Sequence, residues 1–215
     1  MQTLQAQTKR MMLNHLMATP TGRAVTLAGV GLGANGGRAL AQDATPESPF
    51  EAPVDVINYA LTLEHLEATF YRLAMEEFDA AAFEALGYQA EVRDRIVTIG
   101  DHEAQHVEAL TAVVEQLGGE PVEEAEYDFG YTDLESFLAT AAVIEGVGVA
   151  AYTGAAQYLI EEDALLTAAL TIHGNEARHA SYLNVMTAQN PFPEAFDAPL
   201  TPAEVLEIAT PFFVS

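Results

Sequence analysis

Metal-binding residue types recur twice at helical spacing, inside what would otherwise be apolar core stripes, and no other feature of this chain restricts its fold as sharply. Glu64 is followed seven residues later by Tyr71 and then by Glu103-x-x-His106; the same order returns as Glu145 with Tyr152 and Glu176-x-x-His179. On a helix, residues three apart share a face, and a residue seven on lies two turns along that face. Each Glu-x-x-His can therefore aim both side chains at one point. A Glu from each of two helices, with a Glu-x-x-His from each of two others, is the ligand set of a carboxylate-bridged dinuclear metal site in a four-helix bundle.

One isolated Glu-x-x-His would read as an ordinary solvated pair. Here the pairs fall on the apolar stripe. In heptad register, helix A places Ile57, Ala60, Glu64, Glu67, Tyr71, Ala74 and Phe78 inward, and helix B places Ile99, Glu103, His106, Leu110, Val113 and Leu117. Helix C contributes Ala142, Glu145, Val149, Tyr152 and Leu159, and helix D contributes Ile172, Glu176, His179, Leu183 and Met186. Carboxylates in such a stripe each cost several kcal/mol unless paired or metal-bound. Beyond residue 41 the only cationic side chains are Arg72, Arg93, Arg95 and Arg178, too few to compensate them. Multivalent cations can.

The chain of 215 residues is 50% hydrophobic, enough for one domain with a proper core. It has no cysteine, which excludes disulfide, thiolate-zinc, iron–sulfur and cysteine-nucleophile chemistry. All 32 acidic residues lie from Asp43 onward, while four of the eight basic ones (Lys9, Arg10, Arg23, Arg38) precede it, so the remainder carries −28 and no lysine. Such a surface repels nucleic acid and anionic membranes. Molar salt, with a Debye length of about 3 Å, would relieve its self-repulsion, so the charge points to a halophilic setting.

Residues 1–41 are basic and free of acids, contain an apolar run from Ala24 to Ala34, and end in Ala39-Leu40-Ala41, a small-x-small pattern before Gln42. They read as a signal or targeting segment and predict export, with Lys9-Arg10 in place of a twin arginine. The run is too short for a permanent membrane anchor. Residues 42–53 form an acidic linker, 54–190 the bundle, and 191–215 a Pro- and Phe-rich tail expected to pack on it, with a short helix from Thr201-Pro202. The expected helices run over 54–79, 89–117, from the box Thr132-Asp-Leu-Glu135 to Ile160, and over 163–188. The B–C link, 120–131, can travel the length of a bundle, whereas the C–D link is too short for anything but antiparallel neighbours.

Asp55–Arg72 (DVINYALTLEHLEATFYR), Asp101–Leu110 (DHEAQHVEAL), Ile144–Ala156 (IEGVGVAAYTGAA) and Glu176–Tyr182 (EARHASY) resemble the exported ferritin-like domain family, whose relatives include desiccation-related proteins. The resemblance runs from about residue 54 to the C-terminal Pro211-Phe-Phe-Val-Ser. It implies an all-α ferritin-like four-helix bundle with a long B–C crossover, and two Fe or two Mn ions as cofactor. It implies Glu64 and Glu145 as outer carboxylates, Glu103 and Glu176 as bridging ones, and His106 and His179 as nitrogen ligands. Tyr71 and Tyr152 would hydrogen-bond to the carboxylates. Glu67 breaks the symmetry, since its counterpart is Gly148. The seven-residue spacing to Tyr71, repeated in the other half, favours Glu64 as ligand and leaves Glu67 as an additional or alternative one.

His65, His102 and His173 lie off the stripe, where solvation or contact with a ligand is expected. Gly146, Gly148 and Gly154 cost helix C about 1 kcal/mol each relative to Ala, and either close approach near the site or simple tolerance explains them. Carboxylate and imidazole ligands suit iron or manganese and, less specifically, zinc, and a pair of iron or manganese ions can react with O₂ or peroxide. Two function classes stay open: an exported oxidoreductase of ferroxidase or catalase type, and a non-catalytic metal-binding or stress-protective protein. Metal ions are the expected partners, with self-association into a homo-oligomer compatible with the sequence.

Overall fold

The structure, a computed structural model, describes residues 48–214; the expected targeting segment and most of the linker lie outside them. Four long helices form the bundle: α1 (Pro53–Glu77), α3 (Ala90–Gln116), α4 (Leu134–Ala155) and α5 (Asp163–Met186). A short helix, α2 (Ala80–Ala85), joins α1 to α3, and α6 (Pro202–Ala209) lies in the C-terminal tail. No strand occurs among the described residues, and the expected all-α four-helix bundle with a long crossover after its second long helix is the observed fold.

Local chemistry sets the helix boundaries. Pro53 opens α1, and the Asp55 carboxylate accepts the exposed N–H groups of Glu51 and Ala52 at 3.0 and 2.9 Å. Helix A ends at Glu77 rather than Asp79, because Asp79 turns outward to accept the N–H of Ala82 and cap α2, a helix the periodicity does not predict. The box opening α4 is shifted by one residue from Thr132/Glu135: Asp133 accepts from Ser136 N at 2.8 Å, and Ser136 Oγ receives the N–H of Asp133 at 3.1 Å. α4 stops at Ala155 and tightens into one 3₁₀ turn, Ala156–Leu159, before the short link to α5.

The predicted stripe is buried on α1 and largely so elsewhere, with two misplacements on α3. Leu117 is 44% exposed and Val113 is partly buried, while Val114 and Ile96 are fully enclosed. An aromatic cluster closes one end of the bundle: Phe70 stacks on Phe137 at 4.8 Å and meets Phe129 and Tyr131 edge-on. Each such buried ring stabilises the fold by roughly 1.5–3 kcal/mol through area alone. α4 is apolar enough by composition to cross a membrane, but half of that stretch is buried within the bundle.

The crossover, 117–133, follows the outside of α1 from its beginning toward its end. Asn58 holds Glu120 O and Val122 N, His65 Nε2 reaches Val122 O at 3.1 Å, and Thr69 and Arg72 both bond Glu124 Oε1. The tail then locks this strap. Asp128 N donates to Phe212 O and Val214 N to Glu126 O, both at 2.9 Å, around the isolated antiparallel bridge Tyr127–Phe213. Upstream, Leu200 N bonds Ala150 O, and the Leu200 carbonyl lies where a Cβ on Gly154 would stand. Gly154 therefore answers to the tail, not to a neighbouring helix.

Candidate metal centre

Two pairs of helices pack closely, α1 with α3 and α4 with α5, and each delivers one half of the repeat to the middle of the bundle. Gly100 lets α3 approach α1: a Cβ there would stand 2.8 Å from Tyr71 Cβ. All six sequence-predicted residues converge. Donor atoms of Glu64, Glu103, His106 and Glu176 lie within 4.8 Å of one another, and so do those of Glu103, Glu145, Glu176 and His179. The two groups share Glu103 and Glu176. The four glutamates are fully buried, and His179 is 5% exposed.

Both imidazoles point inward through Nδ1. That of His106 is 2.8 Å from Glu103 Oε2, 3.1 Å from Glu64 Oε2 and 3.4 Å from Glu176 Oε1. That of His179 is 2.9 Å from Glu103 Oε1 and 3.2 Å from Glu145 Oε2. One nitrogen carries at most one proton, so two or three carboxylate oxygens must share it, each less than fully satisfied. Both oxygens of Glu176 have no hydrogen-bond partner among the described residues, and Glu103 Oε1 has only its ion-pair contact with His179 Nδ1. Buried oxygens left this way cost several kcal/mol unless a cation meets them. The donor set, oxygen and imidazole nitrogen without sulfur, fits iron or manganese.

The tyrosines cross over. Tyr71 of α1 donates to Glu145 Oε1 on α4, and Tyr152 of α4 donates to Glu64 Oε1 on α1, both at 2.5 Å. Each therefore orients a buried carboxylate of the opposite half.

Glu67 is buried at 3% exposure but belongs to neither convergent group. It lies against Gly148, its own counterpart in the repeat: a Cβ on Gly148 would stand 3.1 Å from Glu67 Oε1 and 2.8 Å from Glu176 Oε2. Gly148 thus makes room for a fifth acid beside the cluster, while Gly146 meets nothing.

Sequence reasoning left unresolved what His102 does and overlooked Asn175. His102 Nδ1 lies 3.0 Å from His179 Nε2, with the rings stacked, and the Asn175 amide lies 2.6 Å from the same nitrogen. The one signal was that a polar residue precedes the glutamate of each Glu-x-x-His, His102 before Glu103 and Asn175 before Glu176. His173 binds Thr153 Oγ1, away from the cluster.

Without metal, protons share out the charge. Burial raises Glu64 to about 7, and burial joined by repulsion between neighbouring carboxylates pushes Glu67 and Glu176 well above the usual range. Burial also raises Glu145. Glu103 goes the other way: burial opposes its ionisation, but His106 and His179 beside it hold it at about 2. Burial likewise opposes protonation of both histidines, yet their carboxylate partners raise His106 to about 10 and His179 to about 9. In the metal-free cluster the imidazolium groups stand where cations would.

No curated protein matches the chain. The sequence profile of the ferritin-like domain family matches residues 52–189, from just before α1 to just beyond α5. Bundle and cluster both fall inside that span, and the chain belongs to the ferritin-like domain family.

Proposed function

We propose that the cluster holds two ions of iron or manganese and that the protein is an exported redox protein that oxidises bound metal or decomposes peroxide. The observation that carries this reading is the convergence of two inward imidazole nitrogens on carboxylate oxygens that have no other partner. Glu64 and His106 would hold one ion, Glu145 and His179 the other, with Glu103 and Glu176 between them. A bound pair of this kind supplies two-electron exchange with O₂ or peroxide. The chain's own contribution is positional: Tyr71 and Tyr152 fix the outer carboxylates, His102 Nδ1 accepts from His179 Nε2 and fixes its ring, and the surrounding core buries the carboxylates. The basic, acid-free residues 1–41 support export.

A second reading, a non-catalytic metal store or stress-protective protein, draws on the −28 charge beyond residue 42, which gathers cations at the surface. One sample separates the two. Metal analysis after reconstitution should find about two ions per chain, the number the ligand set accommodates, and the same sample should consume O₂ with ferrous ion or break down peroxide. Two ions without turnover supports the store. A protein that retains no iron or manganese, and whose melting temperature is the same with and without chelator, sinks both.

A further inference from the structure

α3 and the α4–α5 pair turn unlike surfaces to solvent. The exposed positions of α3 carry Glu91, Asp94, Asp101, Glu108 and Glu115, in keeping with a chain that holds −28 beyond residue 42. From Ser136 to Ile160 the sole acid is Glu145, and from Ala164 to Met186 it is Glu176, both buried in the cluster. The outer positions of α4 and α5 hold Val143, Leu170 and Val185 instead, at 57%, 54% and 61% exposure. Arg178 is the one charged side chain exposed in these two stretches. Contacts of Thr153 with His173 and of Glu145 with His179, at 3.0 and 3.2 Å, fix the antiparallel register, so Val143 and Val185 stand within about one turn of each other along the bundle. Gly146 is also exposed, and a Cβ there would meet nothing within 4 Å. A helix glycine is costly relative to alanine. Packing within the chain does not account for it, whereas the close approach of another helix from outside does.

We infer that the α4–α5 face is where the protein associates with a second copy of itself across a two-fold axis, independently of the metal reading above. Charge chooses the occupant. A two-fold axis brings the same patch of both copies together. On α3 that would set acid against acid; on α4 and α5 it sets valine and leucine against their own kind. A basic partner would be drawn to α3 and would find no acid on this face. The size is sufficient. α4 and α5 have 22 and 24 residues, so at about 1.5 Å per residue and about 8–10 Å between axes they offer roughly 600 Å². A specific interface takes about 500–800 Å² from each partner. The tail borders the face on one side, where Leu200 N bonds Ala150 O, and leaves Val143 and Gly146 uncovered. Salt sets the conditions. Two chains near −28 repel each other at long range in dilute buffer, and molar salt, with its Debye length of about 3 Å, removes that barrier.

Sedimentation equilibrium of the full chain in chelator tests the face without any metal. The wild type should be a dimer in about 3 M NaCl and should shift toward monomer as salt falls to about 0.1 M. Val143→Glu combined with Leu170→Glu sets four carboxylates on the shared face and should raise the dissociation constant at least about 100-fold in molar salt. Ala112→Glu, at an exposed position of α3, should leave it unchanged. Gly146→Leu separates docking from folding. Its side chain enters open space, so the monomer should melt no lower than the wild type, while the dimer weakens about tenfold or more. Should the double glutamate variant not fold, Gly146→Leu decides alone. A wild type that is monomeric at every salt concentration, or an oligomer that both variants leave intact, overturns the inference. So does a wild-type monomer that binds vesicles of neutral phosphatidylcholine when the double variant does not, since the face would then contact lipid.

Discussion

The two halves of the repeat, α1 with α3 and α4 with α5, carry the same candidate ligands in unlike surroundings. Their tyrosine bonds are alike, each crossing to the opposite glutamate at 2.5 Å. The carboxylates of their Glu-x-x-His pairs are not. Glu103 has an imidazole nitrogen within 2.9 Å of each oxygen, whereas the nearest to Glu176 is 3.4 Å away and both its oxygens lack a partner. Glu67 faces Gly148, and His102 and Asn175 both gather on His179 while His106 stands at the solvent edge. Repetition fixes which residues converge; the surroundings make the two halves of the cluster, and the two proposed bridges, inequivalent.

The largest test of that inequivalence is to replace each bridge by a residue of similar size. In chelator, Glu103→Leu leaves two imidazolium groups without their shared carboxylate and should cost about 3–5 kcal/mol. Glu176→Leu removes an acid that burial already keeps protonated and whose oxygens are unbonded, so its effect should stay within about 1 kcal/mol of neutral or be stabilising. Urea unfolding in chelator measures both. Equal costs would mean that the bridges are equivalent and the comparison is wrong. With iron or manganese present, both variants should lose the metal-dependent increment in melting temperature.

A pH series sharpens the same contrast. Glu64, whose ordinary value is 4.5, titrates at about 7 when folded, so its protonated form favours the fold below pH 4.5 and that contribution is lost as pH rises through 7. The raised pKa values of Glu67, Glu145 and Glu176 act in the same direction. The histidines, ordinarily at 6.5, favour the fold fully below that value and lose their contribution as pH rises through about 9 for His179 and about 10 for His106. Glu103, held at about 2, stabilises above its ordinary 4.5 and fails only as pH falls through 2. The chelated protein should therefore melt lower at about pH 8 than at about pH 5. Metal needs the same groups deprotonated, so the loaded protein should gain over the chelated one as pH rises. A constant gap would remove the buried cluster as its source.

The next effect is smaller and should be the same in both halves. Tyr71→Phe and Tyr152→Phe each delete one hydroxyl donor to a buried carboxylate, which corresponds to about 1.5–3 kcal/mol. The two values should agree to within about 0.5 kcal/mol, since each bond joins the same pair of groups. A larger disagreement would extend the asymmetry to the outer carboxylates.

That crossing also marks where the sequence stopped being informative. Helical period alone puts Glu64, Tyr71, Glu103, His106, Glu145, Tyr152, Glu176 and His179 on inward faces, because a face is a local property of the chain. Which neighbour a side chain meets depends on how helices pair, and so the bond from Tyr71 to Glu145, the stacking of His102 on His179 and the meeting of Glu67 with Gly148 were not legible. The same limit explains the tail: a Thr201 cap can be read locally, but the bridge from Phe213 to Tyr127 joins segments far apart in sequence. The α4 box slipped by one because Thr132-Asp133-Leu134-Glu135-Ser136 offers two overlapping capping pairs, and the Asp133–Ser136 pair is the one adopted.

The smallest effect separates the two metal positions themselves. His102 is half-buried and touches the inward-facing site only through His179, so His102→Ala removes one of two polar contacts to His179 Nε2 and leaves Asn175 in place. The stability cost in chelator should be under about 1 kcal/mol, one partly compensated hydrogen bond. Its influence on metal should be larger in proportion, because the outer partner of a ligating imidazole fixes its ring and tautomer, typically worth about 10–100-fold in affinity. A calorimetric titration of the wild type should resolve two steps, the tighter at the His179 side, where the ring is held, and the weaker at His106. His102→Ala should weaken the tighter step by about tenfold or more, and so bring the two steps together. If both steps weaken equally, or neither moves, the polar pair on His179 is packing and the two positions are alike.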